Sequence, residues 1–182
     1  MQVAAVILAA GASARFGSPK QLARIGDGTM LEAVAAIART AGLGPIVAVV
    51  PPGIAVPADV VPVVNGRPED GMSRSLRLGL SAVPAEASAA MILLGDQPTV
   101  SPATLVQLLD ARGERPIVAA RAGGLLAPPL LLERRSFAMA EAATGDHGLR
   151  DLIRGSRHLV TPIEVGEHAP DVDTPEDLER VR

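Results

Sequence analysis

Short apolar runs alternate with amphipathic stretches along most of this chain. Val3 to Ala10, Pro45 to Val50 (PIVAVV) and Ala89 to Leu94 (AAMILL) are uninterrupted. Continuous apolar runs of strand length are expected where both faces of a sheet are covered. Val60 to Val64 and Pro116 to Ala120 extend the set of strands. Between the first two runs, Leu31, Val34, Ala35 and Ala38 recur at helical spacing in Met30 to Ala41, and Gly42 stops that helix. Met72 to Val83 reads as a second helix. Ser101 to Ala111 reads as a third, with Ser101 as N-cap and Pro102 at the first helical position. After Arg121 the pattern loosens. Ala127 to Leu132 (APPLLL) reads as a strand that its prolines confine to a sheet edge. Phe137 to Ala143 and Gly148 to Arg154 read as helices, His158 to Ile163 as a strand, and Thr174 to Arg182 as a closing helix.

Strands alternating with helices predict a single α/β domain, a Rossmann-like three-layer sandwich around a mostly parallel twisted sheet. Ligands of such sheets bind beyond the carboxyl ends of the strands, so the loops that follow strands are where chemistry is expected. Composition narrows the chemistry further. Apolar residues make up 48% of the 182 but aromatics only 1%, so the core must be built from Ala, Val, Leu and Ile. The absence of cysteine excludes a disulfide framework, a thiolate zinc site and a cysteine nucleophile. A net charge of −3 lacks the basic footprint of a nucleic-acid binder, and no apolar run reaches the length of a membrane span. Ala12-Ser13-Ala14 after the first apolar run mimics a secretory cleavage site. No positive segment precedes that short run, so it is read as a buried first strand and the protein as cytoplasmic.

Four loops after strands carry distinctive polar groups. The first, within Ile7 to Leu22 (ILAAGASARFGSPKQL), holds Arg15 and Lys20 beside Gly11 and Gly17. Lys20 is the only lysine in the chain, which points to a need for a compact, mobile point charge; an ordinary turn with an exposed basic residue is the alternative. The loop fits neither a Walker A pattern nor G-x-G-x-x-G. The second runs from Asn65-Gly66 to Gly71-Met72-Ser73 at a helix start, suited to an anion or a base edge, or simply to capping by Ser73 or Asp70. The third, Gly95-Asp96-Gln97-Pro98-Thr99, places a carboxylate at the end of a buried strand, where it suits a hard cation such as Mg²⁺. In the fourth, Asp171 to Leu178 (DVDTPEDL), capping explains Thr174 to Asp177 but leaves Asp173 free to share a pocket with Asp96. His147, His158 and His168 lack metal-ligand spacing and read as structural or surface residues, and no G-x-S-x-G elbow supports a serine hydrolase.

Taken together, LAAGASARFGSPKQL, GDQP and DVDTPEDL resemble the signature, metal-binding strand end and closing motif of nucleotidyltransferases that activate a phosphorylated acceptor with a nucleoside triphosphate. Within that superfamily the chain is most similar to the molybdenum cofactor cytidylyltransferases, a small single-domain branch related to the guanylyltransferases. The resemblance implies that Leu8, Ala9, Ala10 and Gly11 meet base, ribose and phosphates. Arg15 and Lys20 would neutralise the triphosphate, and Asp96 with Asp173 would hold Mg²⁺. Ser75 would lie near the base and Gly145 to Arg150 on the acceptor side, beside the Asn65 and Gly66 loop already read as suited to the nucleotide. Leu126-Ala127-Pro128-Pro129 stands where many members carry Gly-His-Pro, so the acceptor's identity stays open.

The implied partners are a nucleoside triphosphate and a phosphorylated acceptor such as molybdopterin, with a molybdoenzyme as a further partner. Related guanylyltransferases carry a glycine where this chain has Ala10. The added Cβ narrows the turn beside the nucleotide and favours CTP over the larger GTP. Two other readings stand beside this one: the same transfer with GTP or another phosphorylated acceptor, and a non-catalytic protein that binds or inserts the molybdenum cofactor.

Overall fold

The computed structural model describes residues 2–11, 13, 16–142 and 148–181. The main strands are β1 (Val3–Leu8), β4 (Ile46–Val50), β5 (Val60–Val64), β6 (Ala89–Leu94), β7 (Ile117–Ala122), β8 (Leu125–Glu133) and β9 (Val160–Glu164). A small antiparallel ribbon, β2 (Arg24–Ile25) with β3 (Gly28–Thr29), leads into α1 (Met30–Thr40). The seven main strands form one sheet in the order β5-β4-β1-β6-β8-β7-β9, and only β8 runs against the others.

The two faces of β1 show why its sequence is apolar throughout. Val3, Ala5 and Ile7 pack with Leu31, Val34 and Ala38 of α1 and with Leu105 and Leu108 of α3 (Pro102–Asp110). Ala4, Val6 and Leu8 pack on the other face, with Leu76 and Leu80 of α2 (Met72–Ser81) and Leu152 and Ile153 of α4 (Gly148–Gly155). Each fully buried Leu, Ile or Val contributes about 1.5–3 kcal/mol, so the doubly covered central strands form the stable frame. Helix α2 lies very close to the sheet: a Cβ on Gly79 would fall 2.4 Å from Val6 Cγ1. Glycine is therefore required there, and α2 is held against the strand ends that it overlooks.

One strand departs from expectation. Residues 127–132 fall within β8, which lies between β6 and β7 rather than at an edge. Its prolines are tolerated because the β7 register shifts between Ala119 and Ala120. Ala119 pairs with Leu130 and Ala120 with Ala127, leaving Pro128 and Pro129 in a bulge. Pairing with β6 begins only at Leu130, so neither proline is asked for a ladder hydrogen bond. The segment expected as a helix from Phe137 is a 3₁₀ helix, Arg134–Ala142. The closing helix is α5 (Pro175–Arg180). A satellite cluster of Met30, Val172 and Leu178, flanked by Phe16 and Ile25, ties the first loop to the closing segment. Among the described residues, no helix is long and apolar enough to cross a membrane.

Candidate active site

The ends of β1 and β6 meet at the carboxyl pole of the sheet. Ala9 N–H donates to Val49 O at 2.9 Å and Gly95 N–H donates to Leu8 O at 2.9 Å, extending the ladder by one residue on each side. A Cβ on Gly95 would stand 2.6 Å from Ala9 Cβ, so only glycine lets the two strand ends approach this closely. The turn after β1 is then clamped by a buried amide. Gln21 Nε2 donates to Ala9 O at 2.5 Å and lies 3.3 Å from Gly11 O. This role for Gln21 has no local sequence signal; it depends on the short 3₁₀ turn Lys20–Leu22 folding back under the loop.

Lys20 reaches across that pole. Its ammonium donates to Asp96 Oδ2 at 2.8 Å and to Asp173 Oδ1 at 3.0 Å, and lies 3.3 Å from Val172 O. The three side chains are 13%, 23% and 33% exposed, so the ion pairs are partly screened from water. Desolvation on its own would lower the Lys20 pKa, but Asp96 and then Asp173 more than offset it and hold the ammonium above its ordinary value. Desolvation raises the neighbouring Asp171 carboxyl, with a further push from Asp96 and Asp173. Gln97 Nε2 opposes that shift by donating to Asp171 Oδ1 at 2.9 Å.

The backbone brings Asp173 there through two latches. Val172, fully buried in the satellite cluster, donates its N–H to Asp96 O at 2.8 Å. Asp177 Oδ2 accepts from the Asp173 and Thr174 N–H groups at 3.2 and 3.0 Å, while Thr174 Oγ1 caps α5 by accepting from Asp177 N–H.

Leu8, Ala9, Ala10 and Gly11, with Lys20, Asp96 and Ser75, line one cavity of about 150 Å³. A more open depression of about 470 Å³ shares Ala10, Gly11 and Gln21 with it. Asp173 joins through its bond to Lys20. Asn65 stands one layer back: it is fully buried and donates to Ser75 Oγ at 3.0 Å. Gly66 is not among the cavity walls. Arg15 lies outside the described residues, as do Gly145, Asp146 and His147 of the expected acceptor segment. His168 lies 3.1 Å from Leu125 O through Nε2, and His158 is exposed. Several buried polar atoms near this pole have no protein partner, among them Gln21 Oε1, Ser73 Oγ, Asp96 Oδ1 and Gln97 Oε1.

An ammonium, two carboxylates and a glycine-containing turn at the end of a parallel sheet form a setting for polyphosphate chemistry. The comparisons with known proteins agree. Residues 5–161 match the MobA-like NTP transferase domain. The chain is similar in structure to Rv0371c from Mycobacterium tuberculosis H37Rv, with 33% identity, 100% of this chain and 98% of that chain covered, and a TM-score of 0.85. A manganese complex of Rv0371c matches with 32% identity, 100% and 97% coverage and a TM-score of 0.81. The 2-C-methyl-D-erythritol 4-phosphate cytidylyltransferase from Thermus thermophilus shares the fold at 19% identity, with 100% and 97% coverage and a TM-score of 0.75. No curated protein sequence matches the chain. The chain belongs to the MobA-like NTP transferase domain family and is a nucleotidyltransferase.

Proposed function

We propose that this nucleotidyltransferase moves a cytidylyl group from CTP to the phosphate of molybdenum-loaded molybdopterin, giving molybdopterin cytosine dinucleotide and pyrophosphate. The observation that carries the transfer reading is the Lys20 ammonium set between Asp96 and Asp173 beside the turn after β1. An oxygen of the acceptor phosphate attacks the α-phosphorus in line. The bond from that phosphorus to the bridging oxygen breaks, and pyrophosphate leaves with the electron pair. A phosphate monoester is mostly dianionic at neutral pH, its second pKa being about 6, so the attack needs no general base. The protein's tasks are positioning and charge neutralisation.

The residues at this pole fit a divalent cation. Asp96 Oδ1 is buried without a protein partner, and the Asp96 and Asp173 carboxylates converge closely enough for one ammonium to bond both. Among the described residues, no three His, Cys, Asp or Glu side chains cluster as a metal cage. Asp96 and Asp173 would therefore offer two carboxylates to a Mg²⁺ or Mn²⁺ whose remaining ligands are phosphate oxygens and water, the pattern usual for Mg²⁺ at nucleotide sites. Such a cation neutralises charge on the triphosphate. The manganese complex of Rv0371c supports divalent-metal binding here. Lys20, bonded to both carboxylates, would turn from them to the phosphates of a bound triphosphate, a short swing for a flexible four-carbon stem.

Ala10, 4% exposed and lining the cavity, is the basis for preferring CTP, because its Cβ narrows the turn beside the base. The test is pyrophosphate release from CTP and from GTP with molybdenum-loaded molybdopterin, and with other phosphorylated acceptors. The reading expects CTP with molybdopterin to be fastest. Faster turnover with GTP would overturn the donor assignment, and turnover with other acceptors alone would overturn the acceptor.

A further inference from the structure

We propose that Asn65 fixes the hydrogen-bond polarity of the nucleotide cavity by forcing the Ser75 hydroxyl to donate to an acceptor atom on the base. The inference rests on the nucleotide reading above and adds a positioning residue one layer behind the cavity wall.

The polarity follows from groups that have no choice. Asn65 Oδ1 lies 3.0 Å from the backbone N–H of Arg67 and 3.1 Å from Arg74 Nε. Both are donors that cannot accept, so the oxygen of the Asn65 amide must be on that side. The amide nitrogen is then on the other side, 3.0 Å from Ser75 Oγ. Asn65 is fully buried and Ser75 is 6% exposed, so water cannot readily scramble the arrangement. Ser75 Oγ therefore accepts from Asn65, and its one proton points away from that bond. Ser75 sits in the first turn of α2 and lines the same cavity as the β1 turn. Among the described residues, Asn65 is the one side chain bonded to it.

A wall with a committed donor selects a ligand edge with an acceptor. Cytosine offers two adjacent acceptors, O2 and ring N3. Uracil and guanine each carry a proton on the corresponding ring nitrogen. Asn65 thus acts through Ser75 without touching the nucleotide, and its amide cannot be exchanged for an isosteric carboxylate without consequence. In Asn65→Asp one oxygen still accepts from Arg67 and Arg74. The other now takes the Ser75 proton and turns hydroxyl lone pairs toward the base.

The test is calorimetric titration of CTP and of inorganic pyrophosphate into wild type, Asn65→Asp, Ser75→Ala and the double variant. Pyrophosphate reports the added charge without a base. Asn65→Asp should weaken CTP at least ~10-fold more than it weakens pyrophosphate, the scale of one reversed polar contact. In the Ser75→Ala background it should weaken both ligands equally. Turnover should show a raised KM with kcat near wild type. Equal factors for CTP and pyrophosphate in both backgrounds would overturn the inference. If Asn65→Asp does not fold, Ser75→Ala alone decides: CTP affinity should fall about tenfold with pyrophosphate unchanged, and unchanged CTP affinity would overturn the inference. Absence of CTP binding to wild type would overturn the nucleotide reading itself, which is a separate result.

Discussion

The two poles of the sheet treat their polar groups in opposite ways. At the amino pole, charged side chains are committed to the protein. Arg112 donates to Glu133 through Nε at 2.8 Å and through Nη2 at 3.0 Å, and also reaches Ser88 Oγ. Arg134 ties down the carbonyls of Pro84 and Ala87 and stacks 5.0 Å from the Phe137 ring. Arg135 holds those of Gly113 and Glu114. At the carboxyl pole, Gln21, Ser73, Asp96 and Gln97 each leave one buried atom without a protein partner. Buried polar atoms without partners cost stability, and their concentration at one pole fits the proposed nucleotide cavity there. Charge does not mark a site here; unfinished bonding does.

Substitutions at the two poles should therefore have different signatures. The largest effect belongs to Lys20. Lys20→Ala should lower turnover at least ~10²-fold, comparable to removing one preorganised donor to a developing charge, and Lys20→Arg should rescue poorly. The same alanine variant should bind Mn²⁺ about tenfold more tightly without nucleotide, because the competing ammonium between Asp96 and Asp173 is gone. Titration calorimetry checks the second point; weaker Mn²⁺ binding would remove the carboxylates from the metal role.

Arg112→Met tests the other pole. It strands Glu133, which is 17% exposed, and should cost about 2–3 kcal/mol in denaturant unfolding while kcat/KM stays near wild type. A large activity loss would break the contrast between the poles. Thr174→Ala should cost about 1 kcal/mol as a lost helix cap, read from the same unfolding curves. The smallest effect is in alkali. With no tyrosine or cysteine and one lysine, no other side chain titrates between the histidines and the arginines. Lys20 has a raised folded pKa, so its stabilisation is complete below the unfolded value of about 10.4 and is lost as pH rises through the folded value. Lys20→Met should remove that alkaline decline from the stability curve.

The contrast also separates what could be read from the sequence from what could not. The buried parallel strands were legible because both faces are covered, so β1, β4 and β6 carry unbroken apolar runs. Capping made Thr174 and Ser101 legible, since a cap is a local bond. The prolines of β8 point to a sheet edge, whereas the bulge that accommodates Pro128 and Pro129 belongs to its pairing with β7, and pairing is not local. The meeting of Lys20 with Asp96 and Asp173 spans 76 and 153 residues of chain; capping alone suggests that Asp173 shares a pocket with Asp96, but only the motif resemblance brings Lys20 to them. Gln21 and Gln97 fall inside the quoted motifs, but their clamping roles carry no signal, because an amide that bonds a separate loop looks like any other amide in sequence. Asn65 reads as a nucleotide contact from its loop, whereas its bonds place it behind Ser75.

The central claim is that the Lys20 ammonium waits between two carboxylates and is taken up by the triphosphate. The lone lysine makes this directly measurable, since ¹⁵N-lysine labelling yields a single side-chain ammonium resonance. Its nitrogen should be observable and protected in the free protein, held by Asp96 and Asp173. On saturation with a non-hydrolysable CTP analogue and Mg²⁺ it should shift and gain a coupling to phosphorus across the new hydrogen bond. An ammonium resonance that stays unmoved while the analogue saturates the protein would contradict the account.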